Sequence, residues 1–411
     1  MSASSLPEPR WSLPSRIAFR FFFTLLALVY FPFPLTVVTG VAKWWSGLVN
    51  KLLGVAWQAL TGVSLVIINH NGSGDRLVDW VRLLAFAVLA LIVTIVWSIA
   101  DRRHPGYPAL QRWFRVYIRY ALAVAMISYG AYKVFPSQFV MPALDRMLEP
   151  IGDQSPMGLL WNFMGASAPY TIFGGLGELI GGLLLTNRRT ALLGALISAA
   201  VMSQVVMLNF SYDVPVKIYS SELLLTALVL IAPDAGKLRR FFLPEAGPAL
   251  HLAFRIVVVL FVAWVTVAQF RASWKDRQEW DEEMSSPSPL AGIWNVDEMS
   301  IDGVARPPLT TDLTRWRRWI VEGKELVSIQ NMDDRQIRYL LTLDESRKSI
   351  VLKRRTGTAT LVYERPNPQT LLVRGMLAGK PLTATLHKDT QRTFLLTTRG
   401  FHWVNERPFS R

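Results

Sequence analysis

The sequence predicts an all-α bundle of about seven transmembrane helices, followed by a small all-β domain that is either a barrel or a sandwich. Long apolar runs with few charges fill residues 1–270, which hold 21 Lys+Arg and 12 Asp+Glu. Residues 271–411 hold 23 and 18, a composition typical of a water-soluble domain. After Trp280, short alternating runs separated by turn residues replace the long apolar ones, and this pattern is typical of strands.

Membrane helices are predicted from apolar length. A spanning helix needs about 20 apolar residues, because its backbone polar groups must be hydrogen bonded internally. One further apolar stretch, 44–69, is rich in Trp and Gly and is interpreted as an interfacial or re-entrant helix. Seven stretches qualify as spans, at residues 17–41, 78–99, 115–135, 169–186, 190–209, 216–232 and 250–269.

The distribution of positive charge predicts the orientation of these spans. With a cytoplasmic N-terminus, the inner segments 1–20, 101–119, 187–190 and 233–255 hold 14 Lys+Arg, whereas the outer loops 43–82 and 136–165 hold five. Seven spans then place residues 271–411 outside, which is the periplasm for a protein of a Gram-negative inner membrane. An eighth span at 44–69 would break this alternation.

Composition also excludes several classes of function. The net charge of +14 does not indicate nucleic-acid binding, because much of the excess lies in short loops between apolar runs. The chain has no cysteine, which removes disulfides and thiol chemistry. Its five histidines have no metal-ligand spacing, so no metal site is predicted.

The β domain is expected to begin near Gly292, after a linker at 273–289. The segment 290–294, Leu-Ala-Gly-Ile-Trp, resembles the Gly-x-Trp start of lipocalin-like barrels. Eight to ten strands at this spacing favour a small antiparallel barrel or sandwich. Strands are predicted at residues 316–321, 325–330, 338–343, 349–353, 358–363, 370–374, 381–387 and 393–397.

Ionisable residues inside the bundle are the candidate functional groups, since one at mid-helix costs about 2.5–3.5 kcal/mol. Glu178 lies mid-helix among the glycines of 174–182, which allow close helix contact and should turn Glu178 towards the bundle. Glu178 and Lys133, at the end of the third span, together predict a buried charge cluster. Such a cluster would transfer protons or bind a polar headgroup at a site that opens to the outer face.

A structural interpretation of the same residues is also open. Lys133 and Lys217 would reach the interface, and Glu178 would be protonated or paired only for packing. Asp213 would cap the helix that follows Pro215. Residues 71–75 would form a turn that caps the second span, or would fold over the site from outside.

Three motifs lie within residues 113–242 and a further run lies at 399–409. The motifs are Tyr129-Gly130-x-x-Lys133-x-x-x-x-Gln138-Phe139, Gly174-x-x-x-Glu178-x-x-Gly181-Gly182 and Asn209-Phe210-x-Tyr212-Asp213-Val214-Pro215-Val216-Lys217. With these motifs, residues 113–242 resemble the DoxX-like family of bacterial membrane proteins, in its longer form with extra helices and a C-terminal β domain. The resemblance implies a four-helix core and a link to quinone-coupled oxidation. The Tyr-x-x-x-Lys of 129–133 also looks like vitamin K carboxylase-related membrane domains, which implies a lysine in quinone-linked proton chemistry.

One position departs from the family pattern. Glu222 stands where a histidine is expected after the Ser-Ser pair, so a working acid or base there would be a carboxylate. With this resemblance the candidate catalytic residues are Lys133, Glu178 and Glu222. The candidate binding residues are Tyr129, Gln138, Asn209, Tyr212, Asp213 and Lys217.

Two functions from different classes follow. The first is an oxidoreductase subunit of the inner membrane that binds a quinone or other lipid-soluble molecule and works with a partner membrane subunit. The second is a non-enzymatic envelope protein whose helices anchor a periplasmic barrel that binds a lipid or a partner protein. The predicted organisation is 1–112, N-terminal spans; 113–242, DoxX-like core; 243–272, seventh span; 273–289, linker; 290–411, β domain.

Overall fold

The computed structural model describes residues 11–37, 40–67, 72–135, 137–142, 146–147, 149–243, 252–285, 288–323, 325–355 and 357–410. The chain divides into two compact units. The helical unit comprises Met1–Glu245 together with Phe394–Arg411, and the second unit comprises Ala246–Thr393. The sequence had assigned 394–411 to the β domain, whereas the structure groups this segment with the helices.

Within 1–245, the helical unit has nine α-helices whose bounds the structure describes. Serine side chains cap several of them; Ser12, Ser155 and Ser167 each accept a backbone N–H from the first turn of their helix. A short helix, α11, spans Leu395–Thr398 in the returning C-terminal segment. The nine are α1 Leu13–Tyr30, α2 Val41–Thr61, α3 Leu77–Ala100, α4 Pro108–Val134, α5 Pro156–Gly165, α6 Ala168–Thr186, α7 Ala191–Ser211, α8 Lys217–Ile231 and α9 Ala235–Phe242.

Six helical stretches in the described residues are long and apolar enough to cross a membrane. They lie in α1, α3, α6, α7, the continuous α8–α9 stretch Lys217–Phe242, and Ile256–Lys275 of a later helix. They match six of the seven predicted spans. The remaining prediction, 115–135, falls in α4, which has 27 residues but is not among the six.

Helix α4 nevertheless runs antiparallel to α6, in contact with it from Thr186 back to Gly175. At one end the Tyr120 hydroxyl donates to Thr186 O at 3.2 Å, and towards the other end Gly130 packs on the backbone of Gly175 and Leu179. Helix α4 therefore lies beside α6, which is one of the six candidate spans. Helix α2, predicted as interfacial or re-entrant, is a helix outside those six, and many of its apolar side chains are exposed.

The two ends of the helical unit hold different segments. At the end where α1 begins, Trp11 N donates to Pro105 O at 2.8 Å. At the opposite end, Lys217 N donates to Asp75 at 2.9 Å and Asn405 N donates to Asp75 O at 3.0 Å. Residues 72–76, 212–217 and the returning C-terminal segment therefore share one end, which the charge distribution predicts to be the outer one.

The second unit starts with a long helix, α10, at Leu252–Ser285. The prediction of a linker at 273–289 was wrong for its larger part, because the helix continues through it. An i,i+4 ion pair between Lys275 and Glu279 at 3.4 Å lies on this extension.

A nine-stranded antiparallel sheet follows α10 and closes into a barrel. The spatial order is β2-β1-β3-β4-β5-β6-β7-β8-β9, and β1 also pairs with β9. Strand β2 has two residues and pairs only with β1, so the other eight strands form the barrel. The pairing of β1 with β9 confirms the predicted barrel. The strands are β1 Gly292–Ile301, β2 Val304–Ala305, β3 Trp316–Glu322, β4 Leu326–Asn331, β5 Gln336–Asp344, β6 Ser349–Arg354, β7 Gly357–Asn367, β8 Thr370–Leu377 and β9 Lys380–Lys388.

The predicted strand at 393–397 was wrong, since the sheet ends at Lys388 and α11 occupies this region. Apolar side chains from all eight strands fill the barrel interior. Trp294 and Trp319, both fully buried, lie directly opposite each other on β1 and β3. The interior of this eight-stranded barrel is therefore occupied by its own side chains.

Candidate functional site

A cavity of about 540 Å³ lies among α4, α5, α6, α7 and α8. Its walls are largely apolar, with side chains such as Met126, Leu160 and Met164. The lining also includes Phe173 and Ile180 of α6, which are exposed on the outside of the unit. The cavity is therefore open sideways. Polar side chains reach it at Tyr129, Lys133, Gln138, Tyr170, Glu178, Gln204, Asn209, Tyr219 and Ser220.

The central feature of this cavity is an ion pair between Lys133 and Glu178. Lys133 Nζ, in the last turn of α4, donates to Glu178 Oε1, in the middle of α6. Both side chains are buried, at 9% and 3% exposure. A lysine that merely reached the interface would be exposed, so the structure contradicts that interpretation for Lys133.

Glycines make this ion pair possible by bringing α4 and α6 together. A Cβ on Gly175 would lie 2.6 Å from Lys133 Cβ, and a Cβ on Gly130 would lie 2.6 Å from Leu179 N. Real side chains cannot approach so closely. The predicted close helix contact around Glu178 is confirmed, and small residues at the crossing are the cause.

Two buried acceptors in the cavity wall lack partners among the described residues. They are Glu178 Oε2 and Gln138 Oε1. A buried acceptor without a donor costs about 1–3 kcal/mol, and more if it is charged. A ligand that brought a hydrogen-bond donor to either oxygen would remove this cost.

Five of the nine predicted site residues line the cavity, namely Tyr129, Lys133, Gln138, Glu178 and Asn209. Asn209 is fixed by a 3.0 Å hydrogen bond from its Nδ2 to Ser220 Oγ, which ties α7 to α8. In the described part of the chain, Tyr212 instead packs against an apolar cluster that includes Phe139 and Val214.

Glu222, the third candidate catalytic residue, is not part of the cavity wall formed by the described residues, so the structure does not bring it together with Lys133 and Glu178. The cause is helical phase. Ser220 and Leu223 face the cavity, and a residue two positions after Ser220 lies about 200° around the helix. Glu222 instead interacts electrostatically with Arg82 and Asp79 of α3.

Asp213 and Lys217 form a second buried cluster at the end of the helical unit where α8 begins. Lys217 Nζ is fully buried and donates to Asp213 Oδ1 at 3.1 Å and to Asp75 Oδ2 at 3.5 Å. Lys217 therefore does not reach the interface. Asp75 also accepts from the backbone N–H groups of Lys217 and Ile218, at 2.9 and 3.0 Å. Asp75, and not Asp213, thus caps the N-terminus of α8.

Asp213 instead holds the return segment, which we define as residues 394–410. Its backbone is left-handed, with φ of 51°, a conformation that Asp adopts more readily than most residues. Its carboxylate accepts from Arg399 Nη2 at 2.8 Å, from the His402 backbone N–H at 3.1 Å and from Asn405 Nδ2 at 3.0 Å. Ser73 Oγ donates to Asn405 O at 2.6 Å, so the segment is held from two sides.

The two carboxylates of this cluster differ in acidity. Burial acts to raise the pKa of Asp213, but hydrogen bonds from Asn405, Lys217 and the His402 backbone outweigh it and hold the pKa below its usual value. For Asp75, burial is the larger influence and raises the pKa despite the backbone N–H bonds from Ile218 and Lys217. The negative charge that holds the return segment therefore belongs to Asp213.

Sequence reasoning missed the contribution of the return segment. Arg399, His402 and Asn405 were placed in the β domain, although the density of aromatic and charged residues at 399–409 was a usable signal. Trp403 packs on Trp80 with ring centroids 5.6 Å apart, and the Trp80 indole N–H donates to Trp403 O. These contacts connect the segment to the N-terminal end of α3.

Comparison with known proteins gives one informative match. No family model matches the chain, and no solved structure matches it. The uncharacterized protein YwoB of Bacillus subtilis (strain 168) is 32% identical over 129 residues, which are 31% of this chain and 80% of YwoB. The chain belongs to the YwoB family. The YwoB match covers less than a third of this protein, and the resemblance to DoxX-like proteins stays a prediction.

Proposed function

We propose that the helical unit binds a lipid-soluble molecule whose polar head lies against Lys133, Glu178 and Gln138. The single observation that supports this most strongly is a buried ion pair at the wall of a largely apolar cavity of about 540 Å³. Pockets of this size, with apolar walls and a few converging polar groups, are typical ligand sites.

The chemistry of the head follows from the two acceptors without partners. Glu178 Oε2 and Gln138 Oε1 both require a donor. A head with hydroxyl groups, such as a quinol or a long-chain alcohol, supplies donors, whereas a quinone offers only acceptors. Lys133 remains available as a donor to any acceptor on the same head.

The sideways opening supports entry from the lipid rather than from water. Phe173 and Ile180 lie both on the cavity wall and on the exposed surface of α6. An apolar tail could extend between them into the acyl chains. Entry through the bilayer suits a ligand that partitions into membranes and does not require a water-filled channel.

The oxidoreductase hypothesis adds a redox step to this binding. Oxidation of a bound quinol releases two electrons and two protons. Glu178 and Lys133 are placed to receive or relay a proton, and the electrons would pass to a partner membrane subunit that carries the acceptor. The chain itself shows no sequence motif for haem, flavin or an iron–sulfur cluster.

The proposed location is a bacterial plasma membrane, with a cytoplasmic N-terminus and the barrel in the periplasm. The support is the excess of positive charge in the segments at the end where α1 begins. The return segment lies at the opposite end of the helical unit, and α10 supplies the additional crossing that this position requires.

The test is a binding measurement on the purified full chain in detergent. Lipids that copurify are extracted and identified by mass spectrometry, and a short-chain quinol, the matching quinone and a long-chain alcohol are titrated while tryptophan fluorescence is followed. We expect the donor ligands to bind more tightly than the quinone. Glu178→Gln should weaken quinol binding by about tenfold or more, whereas Glu222→Gln should leave it unchanged.

Two outcomes would contradict the proposal. If none of the three ligands binds and the extract contains only bulk phospholipid, the non-enzymatic envelope protein becomes the better hypothesis. If the quinone binds as tightly as the quinol, the two unpartnered acceptors do not select the ligand.

A further inference from the structure

The barrel carries a basic and apolar patch on its outer surface. We define the patch as Leu326, Arg338, Leu340, Lys353, Arg354 and Arg355, around a shallow depression of about 390 Å³. All six side chains are exposed. Among the described residues that line the depression, none is acidic.

Strand register explains why these side chains share one surface. Leu340 pairs with Leu326 on β4 and with Lys353 on β6, and directly paired residues point to the same face of a sheet. Arg338 is two residues before Leu340 and so lies on the same face. Arg354 and Arg355 follow at the end of β6 and in the turn to β7.

The four cations of the patch are not neutralised within the described part of the barrel, where none of them forms an ion pair. Other exposed arginines of the barrel do, as Arg317 does with Asp334 and Arg306 with Asp312. Cations next to exposed leucines, with no acid in the depression, fit a partner that is anionic and has an apolar layer beneath its charge.

We infer that this patch docks on the anionic lipid headgroups of the bilayer that holds the protein. Anionic headgroups attract clustered Lys and Arg, and the acyl chains beneath them accommodate leucine side chains.

Chain connectivity favours the lipid surface over a free protein as the partner of the patch. Helix α10, with its candidate span at Ile256–Lys275, precedes the barrel, and residues 389–393 alone separate β9 from the return segment. The barrel is thus tethered to membrane elements at both ends, which raises its effective concentration at the lipid surface.

The experiment exploits the absence of cysteine from the chain. The full-length variant Thr358→Cys carries a fluorophore next to the patch, because Thr358 pairs with Lys353. The full-length variant Thr383→Cys carries it on β9, which is on the opposite side of the barrel in the strand order. Each protein is reconstituted in phosphatidylcholine vesicles with and without phosphatidylglycerol, and quenching by a headgroup-attached quencher is measured.

We expect quenching at position 358, and not at position 383, to increase severalfold with phosphatidylglycerol and to fall at high salt. Lys353→Glu with Arg354→Glu should abolish the increase, since each lost cation weakens docking about fivefold. The matched control, Arg374→Glu with Lys380→Glu, changes the charge of the barrel equally on its other side and should retain it.

Equal quenching at position 358 in both kinds of vesicle would overturn the inference. So would an acidic protein that protects this position from the quencher while phosphatidylglycerol has no effect, because the patch would then be a protein interface. Neither result would affect the proposed ligand site in the helical unit, which is tested separately.

Discussion

Asn405 Nδ2 donates to Asp213 Oδ1 at 3.0 Å across 192 residues of sequence. The same carboxylate binds Lys217 within the helical unit and Arg399 in the return segment. One buried side chain therefore connects the start of α8 to a segment that follows the entire barrel. The negative charge of Asp213 therefore stabilises the return segment in its place, together with the contacts of Ser73 and Trp80.

Acidification should release the return segment. The folded pKa of Asp213 is held below its usual value, so its stabilising contribution is complete above the unfolded pKa, about 4, and is lost as the pH falls through the lower folded pKa. A nitroxide attached in an Arg407→Cys variant should become mobile only below about pH 4. Electron paramagnetic resonance spectra recorded across the pH range measure this.

Asp213→Asn removes the charge of this side chain at neutral pH. In this variant a nitroxide at position 407 should already be mobile at pH 7. The matched control is Asp234→Asn, which removes a carboxylate bound to Arg115 and Lys237 at the other end of the helical unit. A nitroxide that remains immobile in Asp213→Asn would show that other contacts hold the segment.

Gly175→Ala should separate α4 from α6. The added Cβ would lie 2.6 Å from Lys133 Cβ, whereas a Cβ on the neighbouring Gly174 meets nothing within 4 Å. We expect Gly175→Ala to lower the free energy of unfolding by about 1–3 kcal/mol and Gly174→Ala to have little effect. Unfolding in mixed micelles measures both. Equal stability of the two variants would rule out the close helix contact.

The Lys133–Glu178 pair should show strong coupling in a double-mutant cycle. Lys133→Met or Glu178→Leu alone leaves an unpaired buried charge, which costs about 3–5 kcal/mol. The double variant replaces both charges and should be much less destabilised than the sum of the two. Additive losses would mean that the two side chains do not interact in the folded protein.

Buried Arg315 should be essential to the barrel. Its guanidinium donates to the carbonyl oxygens of Arg306, Trp316, Val296 and Asp297, at 2.7 to 3.1 Å. Arg315→Met leaves these acceptors unsatisfied and should cost about 2–4 kcal/mol. Hydrogen exchange of β1 and β3 measures the loss.

The matched control for Arg315 is Arg317→Met, which alters a side chain that is 41% exposed. It should leave hydrogen exchange in β1 and β3 close to that of the wild-type protein. Faster exchange in both variants to the same degree would mean that the buried position has no special role.

Orientation can be tested with single cysteines, since the chain has none of its own. A membrane-impermeant maleimide should label Thr360→Cys, on the exposed surface of β7, in intact spheroplasts. It should label Lys237→Cys, whose parent side chain is 71% exposed, only after lysis. The reverse pattern would place the barrel in the cytoplasm.

The fold could be predicted because its two parts have different sequence patterns, long apolar runs in the helices and alternating apolar residues in the strands. Apolar length identified α3, α6 and α7 within a few residues, and alternation identified most strands of the barrel. The sequence analysis failed where these signals overlap with others. Turn-forming residues near 285–289 suggested a linker, yet the charged sequence before them continues α10 as far as Ser285.

The site was only partly predictable for a geometric reason. The glycines around Glu178 predicted that another helix packs closely against this one, and Lys133 was predicted to pair with Glu178. Glu222 was assigned from its place after the Ser-Ser pair in the DoxX-like pattern, but the turn of α8 directs it towards α3. No local pattern could reveal that Asp213 binds Asn405, because this contact depends on the whole intervening chain.

The return segment also constrains the order in which the protein can be made. Asp213 and Lys217 leave the ribosome long before Arg399 and Asn405, with the entire barrel between them. Until residues 394–410 have been synthesised, the start of α8 holds charged groups without their final partners, a state that proteases and chaperones can recognise. A nascent chain that stalls within the barrel therefore still lacks the partners that Arg399 and Asn405 provide to Asp213, upstream of the whole barrel.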